Sequence, residues 1–186
     1  MHRNNHYQTL LALLAMCILY ATTSLAASVE SGENSSRSAG LPEGIIYLMK
    51  AADQGHVKAQ YELGSIFYKG KGVPQNYKEA MMWYRRAAGQ GHAKAQYRLA
   101  GMYCKGKGAP QNFKDAVYWY LKAGNQGYAK AQYRLGGMYS KGRGVAQSDQ
   151  EAMKWYRRAA DQGHGKAQYR LGAMYSKGKG MSEGAE

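Results

Sequence analysis

Residues 87–122 read AAGQGHAKAQYRLAGMYCKGKGAPQNFKDAVYWYLK, and the same 36 positions recur on either side of them. Residues 51–86 (AADQGHVKAQYELGSIFYKGKGVPQNYKEAMMWYRR) and 123–158 (AGNQGYAKAQYRLGGMYSKGRGVAQSDQEAMKWYRR) align with that stretch without a gap, and 159–186 begin another copy. Trp83, Trp119 and Trp155 mark the period. A fixed period of about 20–50 residues is the signature of stacked supersecondary units, none of which buries its apolar face alone.

Each unit carries two helical patterns. In the first, Ala59, Leu63 and Phe67 recur every fourth residue and line one apolar face. Lys69-Gly70-Lys71-Gly72 ends it, with cations at the carbonyl end and glycine for the left-handed exit. In the second, Ala80, Trp83, Tyr84, Ala87 and Ala88 fall at intervals of three and four, entered through Pro74-Gln75-Asn76 and left at Gly91. Short connections require the two helices to lie antiparallel. The expected fold is all-α, an α-α superhelix or solenoid of helix-turn-helix repeats.

From Ala59, again from Ala95 and Ala131, and in part from Ala167, the chain follows A-x-x-x-L-G-x-x-[FY]-x-x-G-x-G-[VA]-x-x-[NS]-x-x-x-A-x-x-W-Y-x-x-A-A-x-Q-G with few departures. These residues resemble the Sel-1-like repeat family, relatives of the tetratricopeptide repeats. The tetratricopeptide pattern itself has a shorter period and lacks the paired glycines of the K-G-K-G turn. The resemblance covers about Leu41 to Gly180. It implies a protein-binding scaffold whose first helices line a concave surface.

Outside that array the chain changes character. Met1 to Ala26 carries His2 and Arg3, an apolar run from Leu10 to Tyr20 and small residues at Ser24 and Ala26, the three parts of a secretory signal peptide. Two readings compete with it. An uncleaved membrane anchor would need about 20 apolar residues, and a lipobox ending at Cys17 would place the bulky Met16 before the modified cysteine. Residues 27–40, rich in Ser and Gly, read as a flexible linker. The solenoid then occupies 41–186: a lone helix at 41–53 matching a second helix, repeats at about 57–92, 93–128 and 129–164, and an incomplete copy at 165–186 that lacks its second helix. The expected location is exported, periplasmic or secreted, and once the leader is removed Cys104 is the only cysteine.

Lys and Arg total 26 against 12 Asp and Glu, a net charge of +14 that favours acidic partners. Each helical residue turns the direction by about 100°, so with Leu63 at the centre of the buried side, Lys58, Tyr61, Ser65 and Tyr68 point outward. The repeat then places Lys58, Lys94, Lys130 and Lys166 in one row and Tyr61, Tyr97, Tyr133 and Tyr169 in another, with Ser65, Gly101, Gly137 and Ala173 as a floor of small residues between. Glu62 gives way to Arg98, Arg134 and Arg170 in later copies, so positive potential grows along the array. Tyrosine provides amphipathic contact area at low entropic cost and the cations steer anions. The plain alternative is that these tyrosines pack the repeats and the lysines are ordinary solvated surface. A second basic strip comes from the turns: Lys69 and Lys71, Lys105 and Lys107, Lys141 and Arg143, Lys177 and Lys179.

Catalytic patterns are missing from the sequence. His56, His92, Tyr128 and His164 recur once per repeat, about 10 Å apart, too far to share a metal, and Glu79, Asp115 and Glu151 are isolated in the same way. Because some cysteine-rich family members have been labelled β-lactamase-like, Ser176-Lys177-Gly178-Lys179 matters as a match to S-x-x-K. It falls at a glycine turn, and neither S-D-N nor K-T-G accompanies it. No cofactor or metal is expected. Two functions fit: a scaffold or adaptor that binds a protein or peptide ligand, with an acidic one favoured, and a basic module for an anionic polymer such as cell-wall glycan, nucleic acid or lipid headgroups.

Overall fold

The computed structural model describes residues 40–179, and the helices from Glu43 onward belong to one compact unit. The leader 1–26, the linker up to residue 39 and residues 180–186 lie outside the described residues. Eight helices follow one another: α1 (Glu43–Asp53), α2 (Val57–Lys69), α3 (Tyr77–Gly89), α4 (Ala93–Lys105), α5 (Phe113–Asn125), α6 (Ala129–Lys141), α7 (Asp149–Ala160) and α8 (Gly165–Tyr175). Among the described residues there is no strand. Each helix packs chiefly on the helices before and after it in sequence, so contact is local all along the chain, as a solenoid requires.

The sequence punctuates each helix chemically. Asn76 Oδ1 accepts from the amides of Lys78 and Glu79 at 3.0 and 3.1 Å, Asn112 does the same for Lys114 and Asp115, and Ser148 Oγ accepts from Glu151 N at 3.2 Å. These caps satisfy amides that have no partner within the helix, each contributing about 1 kcal/mol. At the other end of α2, Gly70 adopts φ 69°, and its N–H reaches the Ile66 carbonyl. The turn glutamines close the remaining gap: Gln75, Gln111 and Gln147 each donate to a last-turn carbonyl, of Tyr68, Cys104 and Ser140, at 2.7–3.1 Å.

Small residues let the helices approach, and large ones fill the seams between them. Leu63, Leu99 and Leu135 are fully buried, and Trp83, Tyr84 and Met102 are the other large side chains sealed from solvent. Ile66, on the same helix, is only half-buried. A methyl group at Gly64 or Gly136 would stand 2.6 Å from the ring of Tyr84 or Tyr156, so both glycines mark places where a tyrosine lies flat on the helix backbone. Removing a side chain such as Leu99 would cost about 2–5 kcal/mol, the range for buried aliphatic truncation.

The repeats are also stitched by polar groups. Gln60, Gln96 and Gln132, each no more than 4% exposed, donate Nε2 to the carbonyls of Ala52, Ala88 and Gly124 at 2.9–3.0 Å. Their own Oε1 atoms accept from Gln90, Gln126 and Gln162 of the following second helix at 2.7–2.8 Å. Each buried amide is therefore satisfied on both sides, which a buried polar group requires.

Candidate functional site

The outward side of the first helices is more covered than a single-helix projection implies. Lys58, Lys94, Lys130 and Lys166 are exposed, but Tyr61, Ser65 and Tyr68 are half-buried, as are Tyr97 and Tyr133. Tyr61 is wedged between Tyr84, with ring centroids 5.8 Å apart, and His92 at 4.8 Å. Tyr97 sits likewise between Tyr120 and Tyr128 at 5.7 and 5.3 Å, and Tyr133 between Tyr156 and His164 at 5.7 and 4.9 Å. The covering groups belong to the antiparallel second helix and to the start of the next first helix, neither of which a lone helix reveals. Tyr169 lacks such a sandwich among the described residues and is 75% exposed.

The position before each first helix, where His56, His92, Tyr128 and His164 recur, is its N-cap. There His92 Nδ1 accepts from Ala95 N at 3.1 Å, and burial together with Lys94 holds its pKa below the usual imidazole value. Among the described residues no group of three His, Cys, Asp or Glu side chains could hold a metal ion.

Of the arginines that replace Glu62, Arg98 and Arg134 engage tyrosines of the preceding repeat while remaining exposed. Partial burial works against the charge of Arg98, yet its hydrogen bond to Tyr61 and the surrounding tyrosines hold its pKa above the ordinary guanidinium value. Arg134 is held in the same way by Tyr97. Both stay charged at any pH the protein meets.

Along this side of α4, α6 and α8 runs a groove of about 550 Å³. Gly101, Gly137 and Ala173 line its floor, and a methyl group at Gly101 or Gly137 would lie 3.5–3.6 Å from the hydroxyl of Tyr120 or Tyr156. Arg98, Arg134 and Arg170 border it on one flank. Lys105 and Lys141 border it further along the same helices, with Arg143, Lys177 and Lys179 from the turns. No Asp or Glu is among the lining residues.

Of the residues singled out in the sequence, the groove gathers Tyr97, Arg98, Tyr133, Arg134 and Arg170. Lys58, Lys94, Lys130, Lys166, Tyr61 and Tyr169 do not line it. Tyr120 and Tyr156, which do, come from second helices and were not anticipated. The union of the arginine row with the turn lysines was legible in principle, because Arg98, Gly101 and Lys105 fall at i, i+3 and i+7 on one helix face.

Cys104 also lines the groove and is half-buried. Burial pushes its thiol up, outweighing a hydrogen bond with Tyr120 and the nearby cations, so it stays a neutral thiol and a poor nucleophile. In the last three turns the second cation is not a loose charge either. Lys107 Nζ donates to Tyr77 Oη at 2.7 Å, thirty residues back. At the corresponding places Arg143 lies over the Phe113 ring at 5.8 Å and Lys179 pairs with Asp149 at 3.3 Å. Arg85 donates to Tyr103 Oη at 2.6 Å. Of the second-helix carboxylates, Glu151 pairs with Lys154 at 2.7 Å.

Five consecutive stretches, 32–56, 57–92, 93–128, 129–164 and 165–183, match the sequence pattern that defines the Sel1 repeat. The chain belongs to the Sel1 repeat family. Sel1 repeat solenoids are commonly protein-protein interaction scaffolds and typically non-enzymatic. Among solved structures, a protective antigen present in uropathogenic Escherichia coli strains, displaying the same fold, is 34% identical with a TM-score of 0.74, covering 86% of this chain and 37% of that one. A Sel1 repeat protein from Oxalobacter formigenes is 38% identical with a TM-score of 0.70, covering 74% of this chain and 55% of that one. The present chain thus spans well under two thirds of either. Helicobacter pylori cysteine rich protein B, 23% identical with a TM-score of 0.55, covers 68% of this chain and 96% of its own length and shares the fold. No curated protein matches the chain. Among the described residues no helix is long and apolar enough to cross a membrane.

Proposed function

We propose that this Sel1 repeat chain is a non-enzymatic adaptor of the envelope or secreted space that holds an acidic protein partner in the groove of its first helices. The observation that carries the reading is the groove itself, bordered by Arg98, Arg134, Arg170 and the turn lysines with no lining carboxylate. Packed repeats hold it in place, so little ordering cost falls on the protein when a partner binds. Export rests on the leader at 1–26, and the Escherichia coli relative, a protective antigen, is consistent with a role outside the cytoplasm.

The net charge of +14 and the exposed row of Lys58, Lys94, Lys130 and Lys166 favour a second reading, a module for an anionic polymer. Ionic strength separates the two. Binding through many phosphate or sulfate contacts falls steeply with salt, whereas a groove contact backed by tyrosine falls modestly. Capture from native envelope extract at low and high salt, with the Arg98→Gln/Arg134→Gln double variant in parallel, tests this. A protein retained at high salt by the native chain and lost by the variant supports the adaptor. Retention of nucleic acid or glycan alone, lost at high salt, supports the polymer. Turnover of a chromogenic β-lactam by the purified chain would contradict the non-enzymatic assignment.

A further inference from the structure

The described array opens on a second helix and closes on a first one. Among the described residues α1 packs on α2 with no first helix before it, and α8 packs on α7 with no second helix after it. Each leaves open a face that the interior repeats bury. Ala80, Trp83 and Tyr84 are sealed from solvent, whereas at the same positions of α1 Gly44 is exposed, Tyr47 is 69% exposed and Leu48 is half-buried. Gln96, Ala100 and Tyr103 are likewise buried on α4, whereas Gln168, Gly172 and Tyr175 are exposed on α8.

The links that join interior repeats are left half-made at the two ends, and the halves match. Gln60, Gln96 and Gln132 each accept a hydrogen bond from the glutamine thirty residues later. Among the described residues Gln168 has the acceptor without that donor, and Gln54, one period before Gln90, has the donor without an acceptor. Gly64 and Gly136 lie under the tyrosine twenty residues later, while Gly172 has open space at that place and Leu48 holds the tyrosine position on α1. Tyr61 and Tyr133 lie against the histidine that caps the next first helix, at 4.8 and 4.9 Å. Tyr169 has no such neighbour among the described residues, and His56 is exposed. Arg86 pairs with Asp53 at 3.0 Å, and one period earlier Lys50 takes the arginine position while Asp161 repeats the aspartate. Any amphipathic helix could cover an apolar face, but a helix of unrelated sequence has no reason to supply all four of these counterparts in one register.

We infer that copies of this chain dock head to tail, α1 of one copy packing on α8 of another as the second helix of its unfinished repeat. The contact is heterologous, so a dimer still carries one open face of each kind and adds further copies. It lies at the ends of the array and is independent of the acidic-partner reading.

Sedimentation velocity on the full chain tests it, under reducing conditions that exclude a disulfide through Cys104. The native chain gives a sedimentation coefficient that climbs with concentration past the dimer. Gly44→Arg blocks the α1 face and Gly172→Arg the α8 face, both at positions with open space around them, so the melting temperature stays that of the native chain. Each variant alone is monomeric. An equimolar mixture of the two regains one intact face of each kind, forms a dimer and stops there. Lys122→Gln, on α5 away from both ends, associates like the native chain. A native chain that stays monomeric up to about 1 mM overturns the inference. Association that survives in both variants places the contact elsewhere and overturns it too. Loss in only one variant shows a face pairing with itself, and a mixture that stays monomeric shows that the two faces do not meet; either result overturns the head-to-tail contact and leaves the acidic groove standing.

Discussion

Gln126 donates its side-chain amide to Gln96 Oε1 at 2.8 Å, and Gln96 in turn donates to the Ala88 carbonyl at 3.0 Å, so one buried side chain joins the two ends of successive second helices. Gln96→Ala removes a buried donor to the Ala88 carbonyl and the acceptor of Gln126, whose exposed amide keeps the Lys122 carbonyl at 3.3 Å. Losing a buried hydrogen bond costs about 1–3 kcal/mol, and urea denaturation should show a loss in that range. Gln168→Ala, at the equivalent but exposed position, should cost less than about 0.5 kcal/mol. Equal losses at the two sites would show that the ladder contributes nothing particular.

Tyr97 and Tyr169 occupy the same repeat position in different surroundings, half-buried between two rings in one case and 75% exposed in the other. Tyr97→Ala removes two aromatic contacts and part of a buried surface, a loss of about 1.5–3 kcal/mol. Tyr169→Ala should leave the melting temperature within a degree or two. Were both variants equally stable, the tyrosine row would be free surface.

The contrast between these two residues shows what the sequence could and could not reveal. The 36-residue period, the helix pairs and their caps are set by local chemistry, by glycine turns and by apolar spacing, all visible in a single strand of letters. Tyr61, Tyr97 and Tyr133 read as outward because the helical projection is a one-helix calculation, whereas their cover comes from residues 23 to 31 positions later, such as Tyr84 and His92 for Tyr61. The glutamine ladder stayed hidden for the same reason. Gln60 looks like any polar residue until Gln90 and the Ala52 carbonyl are placed around it.

Gly144 and Gly163 both adopt positive φ, 75° and 78°, but only Gly144 has a neighbour at the place where a methyl group would go, the backbone carbonyl of Phe113 in the preceding repeat. Alanine at Gly163 carries the left-handed penalty of about 1–2 kcal/mol. Alanine at Gly144 carries the same penalty plus a collision with backbone that cannot swing aside, so it should cost at least about 2 kcal/mol more. Thermal unfolding of the two variants reads the difference directly.

Stability should fall away on both sides of neutrality. The folded-state pKa of His92 is depressed, so the unfolded chain binds the proton more readily, and stability present above pH 6.5 declines as the pH falls through the folded-state value. His92→Asn, which keeps a capping side chain without a titrating one, should flatten that limb. Burial raises the Tyr84 phenol from 10.0 to about 12 and also raises Tyr120 and Tyr156. Phenols of the unfolded chain therefore ionise first, and stability present below pH 10.0 is lost as the pH climbs through the folded-state values. Urea midpoints measured from pH 5 to 11 should trace a plateau with two shoulders, and a midpoint that keeps rising above pH 10 would contradict the buried state of these phenols.

The pin from Lys107 to Tyr77, like the bond from Gln126 to Gln96, spans thirty residues and reaches only the adjacent unit. A chain joined in this way can gain or lose a complete 36-residue module and keep every remaining joint in register, whereas an insertion of any other size would cut two joints at once. Array length is thus free to vary in evolution or design while the seams stay fixed.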